Sequence, residues 1–526
     1  MRKRYLSTGQ EWNMDFIEKS WKVISKLATK YKWEGYQPQF EITSFEHMID
    51  NYVFTGMPAM YSHWSFGEQK AKMYDKYIHG RMGLALEMII NSDPAICYLS
   101  EDNSACEQLL VMCHAAVGHS HFFKNNHLFK DGTDPKGIVD YVLYARDYIE
   151  NCEQRYGENL VEVILDAAHS LRNHGIDKHK RPADKTKEKL RAKLKRRLEA
   201  EQENVNELYA NYSPTRVNHV SQFIKTKILA NPKLYIPSDK FPEENLLYFI
   251  EKNSPILTSW QREILRIVRT LSQYFYPQMQ TKVMNEGFAS FVHFTLMNDL
   301  YDAGYVPEGY ILEFCHSHSD VLHMLKWNDQ NYHGLNPYKL GFEIFRDIRR
   351  MCEHPTPEDK HYFPELANQN WIDVVNDTVA NYRDESFIKQ FLSPSLVRKL
   401  RLFMLSNLRA DLDYYHISGI QSDEDFEDVR TNLSAQFNIS GTIPTIEVWY
   451  SDFLNAKDLV LVHTSNDEST LNHDQAEDTV DHVAQLWGKG TYLYNVKFEG
   501  DKYVPYGGYY KKHITDEQSM AIRGYF

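Results

Sequence analysis

Three imidazoles fall within eight residues of the segment CHAAVGHSHFFKNN, residues 113 to 126, where His114, His119 and His121 are followed closely by Asn125 and Asn126. Neutral imidazole is a ligand for transition metals and exchanges protons near neutral pH. Any one of these histidines reads best as structural, but the cluster reads as a metal site. Spacing decides which of them can cooperate. On a regular α-helix His114 and His121 share a face, whereas His114 and His119, five positions apart, diverge by about 140°. One π turn would remove that divergence, and Gly118 is where the helix has room to loosen or to make it.

A second constellation, VMNEGFASFVHF at 283 to 294, puts Glu286 and His293 seven apart and so on one helical face. Its Asn-Glu-Gly-x-Ala core looks like the segment that supplies the glutamate ligand in zinc aminopeptidases of the gluzincin type, where an earlier helix carries His-Glu-x-x-His. That resemblance implies His114, His119 and Glu286 as ligands of a zinc or other divalent ion, with a fourth position left open for chemistry. His121 is a further, lower-ranked ligand candidate. The sequence departs from the pattern in two ways: the spacing is His-x4-His, and Ala115 stands where the general-base glutamate would be. Metal binding survives these departures better than ordinary peptide hydrolysis does. Another carboxylate would have to serve as base, either Glu87 on the preceding strand or Glu107 two turns upstream of His114. In a third cluster, EFCHSHSDVLH, His316 and His318 diverge by about 200° on a helix, so only one can face a shared site. His316 is a candidate extra ligand and His318 a candidate transition-state donor, with Asp320 able to orient an imidazole; satisfied surface or core histidines are the plainer reading.

The elements around these residues must hold them in place. GLALEMII at 83 to 90 alternates and is broken by Asn91-Ser92-Asp93-Pro94, which predicts a strand and a turn. From Ser104 to about Phe123 the period is helical, with Ser104 or Asn103 as cap. The histidines therefore sit near the end of a helix that follows a strand, a zincin-like α+β core inside a mainly α protein. Helical runs are expected at 15–31, 137–155, 160–173, 243–252, 260–276 and 308–324, with Pro277 separating the run before it from the Glu286 segment. The stretch 52–67 reads as an ordered irregular loop of the sort that lines sites. The lysine- and arginine-rich run 178–197 reads as a solvated helix, with docking of an acidic partner as the alternative. Beyond Leu412 the order of elements is β-α-β-β-α-β, that of a ferredoxin-like module, so the domains are expected at 1–410 and 411–526.

Composition sets the outer limits. The 526 residues, 42% hydrophobic and 13% aromatic, fold around a sizeable core. A net charge of −13 gives no global field for nucleic acid, and the six cysteines form no C-x-x-C pair. No stretch reaches the roughly 18 apolar residues of a membrane span, and the basic start is followed by polar residues where an export signal needs an apolar core. A reduced, cytoplasmic setting is expected. P-loop, G-x-G-x-x-G, G-x-S-x-G and protein-kinase signatures are absent, so nucleotide chemistry is not expected.

Taken together, YSHWSFG (61–67), GLALEMIINSDP (83–94), HAAVGHSHFFKNN (114–126), SWQREILRIVRTLSQYFYPQ (259–278), MNEGFASFVHF (284–294), LEFCHSH (312–318) and ESFIKQFLSP (385–394) resemble the stage V sporulation protein R, or SpoVR, family, from about residue 10 to beyond 490. The resemblance implies that His114, His119 and Glu286 matter and that a histidine at 121 is not required. It further implies a link to spore-cortex formation or, in bacteria that do not sporulate, to stress and starvation. Partners implied in the same way are a AAA+ serine-protein kinase and a von Willebrand A-domain protein. No reaction comes with the resemblance. Two functional readings follow, a divergent zinc-dependent metalloprotein or hydrolase, and a noncatalytic adaptor built on a decayed metalloprotease fold.

Overall fold

The structure, a computed structural model, describes residues 5–44, 47–48, 60–64, 87–178, 243–325, 334–402, 404–406, 416–418, 422–439, 443–451, 458–465, 471–499 and 502–511. Most of the loop 52–67, the first part of the strand expected at 83–90 and all but the first residue of the basic run 178–197 lie outside the described residues. The protein is mainly helical, with three small sheets among the described residues. No helix of the described residues is long and apolar enough to cross a membrane. None of the six cysteines is in a disulfide.

Two compact units emerge, one made of Met1–Tyr148 with Tyr274–Gly441, the other of Ile149–Gln273 with Thr442–Phe526. This division differs from the contiguous 1–410 and 411–526 expected from sequence. The helix Asp423–Gln436 belongs to the first unit because its side chains are used there. Arg430 donates to the carbonyl of Gln390 at 3.1 Å and also to that of Lys389, Tyr362 hydrogen-bonds Asp423, and Phe426 is buried against Tyr362 at a ring distance of 5.0 Å.

In the first unit the strands Pro38–Thr43, Ala95–Ser100 and Glu87–Ile89 form one sheet with Ala95–Ser100 in the middle, parallel to the first and antiparallel to the last. The central strand is almost wholly buried, as its run AICYLS requires. On the edge strand Met88 is buried, as is Ile90 just beyond its end, which leaves Glu87 on the other face. After the sheet comes the helix Ala105–Val111, started by a capping box in which Ser104 accepts from the Glu107 amide at 3.1 Å and Glu107 accepts from the Ser104 amide at 2.8 Å.

A second long helix, Lys282–Asp302, carries Glu286 through the centre of the core. Its first turn is fixed by Asp384, whose carboxylate accepts from the amides of Val283 and Met284, each at 2.8 Å. One turn later Gly287 meets the helix Pro337–Glu353 at Gly341. A Cβ on Gly287 would lie 2.3 Å from the Gly341 backbone, so the pair of glycines sets how closely these helices cross. The preceding helix, Ser259–Gln280, runs through Pro277 instead of stopping there, and the break falls at Thr281.

The C-terminal ferredoxin-like expectation is corrected by the topology. The helices and strands expected beyond residue 420 form, but among the described residues the short strand His416–Ser418 pairs with Met404–Ser406 and not with the later strands. The second unit's sheet runs Ile446–Ser451, Leu459–Ser465, Thr491–Glu499, Lys502–Lys511 in sequential order, with the middle pair parallel and bridged by the helix His473–Trp487. Its last strand, KYVPYGGYYK, contains a proline and two glycines that hide it from pattern reading.

Candidate metal centre

The histidine-bearing segment Met112–His119 is a π-helix, the local widening that the spacing of His114 and His119 calls for. Its i→i+5 winding brings the two imidazoles to a ring distance of 4.7 Å. Every residue of the segment is buried, and Gly118 lets it press against the glutamate helix. A Cβ on Gly118 would lie 2.7 Å from the Cα of Ala289, one turn beyond Glu286. A glycine within the widened segment therefore brings the two chemistry-bearing elements together.

Four donor groups converge. His114 Nε2 lies 3.1 Å from Glu87 Oε1 and 3.8 Å from Glu286 Oε2, and His119 Nε2 lies 3.5 Å from that same Glu286 oxygen. Glu87, His114 and His119 each offer a ligand atom within 4.8 Å of the others. Glu286 Oε2 is buried without a hydrogen-bond partner and His114 Nε2 has no well-aligned one beyond its 3.1 Å approach to Glu87, a costly arrangement for polar atoms unless a further group occupies the space they face. A divalent cation fits that space in ligand type and in number, two imidazole nitrogens and two carboxyl groups. Bound there, such an ion would supply Lewis acidity toward water, a carbonyl or an amide.

Outer partners orient the ligands. His119 Nδ1 is 2.9 Å from Asn285 Oδ1, an amide oxygen that only accepts, so Nδ1 carries the proton and Nε2 turns its lone pair inward. His114 Nδ1 is 2.8 Å from His293 Nδ1, and His293 Nε2 is 2.7 Å from His318 Nδ1. Tyr338 hydrogen-bonds Glu286. His318 in turn sits among Phe294, Phe314 and Phe342 at ring distances of 5.2, 5.5 and 4.9 Å.

Burial dominates the electrostatics. It lowers the imidazolium pKa of His114 and His318 to about 4 and drives that of His293 well below the ordinary value, with the neighbouring histidines adding to the effect. Burial and the charge of Glu286 push Glu87 well above the carboxylate range. Burial would raise Glu286 as well, but His119 and His114 beside it hold it below its ordinary value. Glu87 therefore holds a proton more tightly than an ordinary carboxyl, and Glu286 less tightly.

Among the residues singled out from sequence, Glu87, His114, His119 and Glu286 come together and His318 stands two imidazoles behind them. Three candidates are elsewhere. Glu107 is occupied in the capping box at the start of its helix. His121 turns away, its Nδ1 accepting from the Glu34 amide at 2.9 Å, which anchors the turn before the first strand. His316 is an exposed residue 3.3 Å from Asp320, the carboxylate expected to orient an imidazole. Sequence reading gave no role to Asn285, Tyr338 or the Nδ1 contact of His293. Only the position of Asn285 next to Glu286, and the seven-residue step from Glu286 to His293, signalled the first and last of these.

Comparison with known proteins agrees with the sequence motifs. A family profile described as "SpoVR like protein" matches residues 11–442, and one described as "SpoVR-like C-terminal domain" matches residues 444–498. The boundary between them falls where the second unit's C-terminal part begins, at Thr442. The "Uncharacterized protein YcgB" of Escherichia coli (strain K12) is 44% identical over 484 residues, 92% of each chain. No solved structure matches. With profiles covering almost its whole length and a relative this similar, the chain belongs to the SpoVR family.

Proposed function

We propose that this protein is a cytoplasmic metalloprotein in which His114, His119 and Glu286 hold a divalent ion, zinc by donor chemistry, within a divergent zincin-like core. Glu87 stands beside them as the proton-accepting group. The observation that carries the reading is the buried convergence of two imidazoles and two carboxylates, their facing atoms 3.1 to 3.8 Å apart and Glu286 Oε2 without a hydrogen-bond partner. Burial and the charge of Glu286 make Glu87 a stronger base than an ordinary carboxylate, which suits it to the role left vacant by Ala115. The reaction class that follows is hydrolysis of a peptide, amide or cell-wall-related bond, in keeping with the family's link to spore cortex and stress.

Metal analysis of protein purified without a histidine tag tests this. Stoichiometric metal in the wild type and its loss in Glu286→Ala are expected; a metal-free wild type, or full retention in Glu286→Ala, would contradict the reading. Glu87→Gln keeps the ion if Glu87 is the base and loses it if Glu87 is a ligand.

Ala115 favours a second reading, an adaptor for a AAA+ serine-protein kinase and a von Willebrand A-domain protein. Under it, His119→Ala would restore a deletion strain's stress survival as well as the wild type does; under the metalloprotein reading it would not.

A further inference from the structure

We infer that His293 and His318 are positioning residues for this centre, forming with His114 a row of hydrogen-bonded imidazoles that sets which nitrogen of His114 carries the proton. The inference rests on the metal-binding reading above. Both contacts in the row are short, 2.8 Å between the Nδ1 atoms of His114 and His293 and 2.7 Å from His293 Nε2 to His318 Nδ1. All three rings are buried, His114 and His293 completely and His318 to 8% exposure, and at these separations the two nitrogens of each contact share a single proton.

A neutral imidazole has one N–H and one lone pair, so two hydrogen bonds in a row of three rings can be arranged in only two consistent ways. In the outward arrangement His114 donates from Nδ1 to His293, His293 donates from Nε2 to His318, and the last N–H is on His318 Nε2. The lone pair of His114 Nε2 then faces Glu87 and Glu286. In the inward arrangement His318 and His293 donate toward His114, whose N–H is on Nε2, 3.1 Å from Glu87 Oε1. The inward arrangement suits the site without a cation, and the outward one is required for a cation to be held. Conversion between them balances. One proton enters at His318 Nε2, one N–H proton crosses each of the two contacts, and one proton leaves His114 Nε2, so the row is neutral before and after.

This assigns the row a purpose that packing alone does not explain. A leucine or phenylalanine would fill the volume of His293, but neither would accept from His114 Nδ1. Asparagine at 293 offers an acceptor oxygen close to where Nδ1 stands, without continuing the row to His318.

The test is zinc titration of chelator-stripped full-length protein, with histidine-selective 15N spectra recorded before and after loading. His293→Leu should weaken zinc binding by about 10- to 100-fold, the range for lost outer-shell partners, and His293→Asn should recover most of it. His318→Phe, which suits the surrounding aromatic rings, should cause a smaller loss. In the zinc-loaded wild type His293 should carry its proton on Nε2, and in the stripped protein on Nδ1. Wild-type affinity in His293→Leu, equal losses in His293→Leu and His293→Asn, or a His293 proton on Nδ1 in the zinc-loaded protein would overturn the assignment. A wild type that binds no zinc would instead overturn the metal reading beneath it, and the assignment with it.

Discussion

Two histidine-rich segments look alike on paper, 114–121 with three histidines in eight residues and 316–323 with three in eight, yet the fold uses them differently. The first is a buried π-helix pressed against the glutamate helix at Gly118. The second is the end of an ordinary α-helix on which His316 is 79% exposed and His318 is turned inward onto His293. Density of imidazoles therefore does not make a site. Helical winding decides whether two imidazoles share a face, and burial decides whether they face carboxylates or water. His318 belongs to the first cluster's chemistry although it lies in the second cluster's sequence.

The sharpest way to break that contrast is to remove one histidine from each segment. His114→Ala should weaken metal binding by more than about 100-fold, since it deletes a ligand and not just an outer partner. His316→Ala should leave affinity unchanged within error in the same calorimetric titration. Equal losses in the two variants would erase the distinction.

Acid should next report the burial of this centre. A buried histidine held neutral in the fold favours the unfolded chain as pH falls, because only the unfolded form takes up the proton. For His114, at about 4 in the fold against 6.5 when free, the stabilising contribution is intact above pH 6.5 and is lost between 6.5 and 4, on the order of 3 kcal/mol. Urea unfolding of metal-free protein across that window reports it, and His114→Asn should flatten the profile. Metal affinity should have the same sign for a different reason. The imidazole and carboxylate ligands hold the ion only when unprotonated, so binding releases protons and strengthens as pH rises.

Smaller still is the cost of closing the π segment's gap. Gly118→Ala puts a Cβ 2.7 Å from the Cα of Ala289, and overpacking of this kind costs about 1–3 kcal/mol. The lowered midpoint should come with weakened metal binding, because the displaced helix is the one carrying Glu286. At the other segment, Asp320→Ala should change stability by no more than about 0.5 kcal/mol, as removal of an exposed ion pair does.

How much was legible follows from what each signal depends on. The five-residue spacing of His114 and His119, with a glycine between, foretold a π turn because a regular helix could not bring them together. The capping box at Ser104 was half visible, since Ser104 announced a cap while Glu107, three residues on, was weighed as a base when its carboxylate is used by the helix start. Glu87 is legible as a candidate base on the strand before the histidine helix. Its pairing with His114 depends on a strand register and a helix packing that involve residues far apart in sequence. Asn285 and the His293–His318 contact were hidden for the same reason. Each joins two helices, and periodicity within one helix says nothing about what the other presents. At the C-terminus local patterning found the elements but not their order in the sheet, because Pro505, Gly507 and Gly508 masked the last strand.

X-ray absorption at the metal edge of untagged, full-length protein tests the central claim most directly. The account predicts a stoichiometric ion whose nearest shell holds two imidazole nitrogens and carboxylate oxygen, with the imidazole signal reduced by half in His119→Ala. Substoichiometric metal, or a shell of water oxygens or sulfur that is unchanged in that variant, would contradict it.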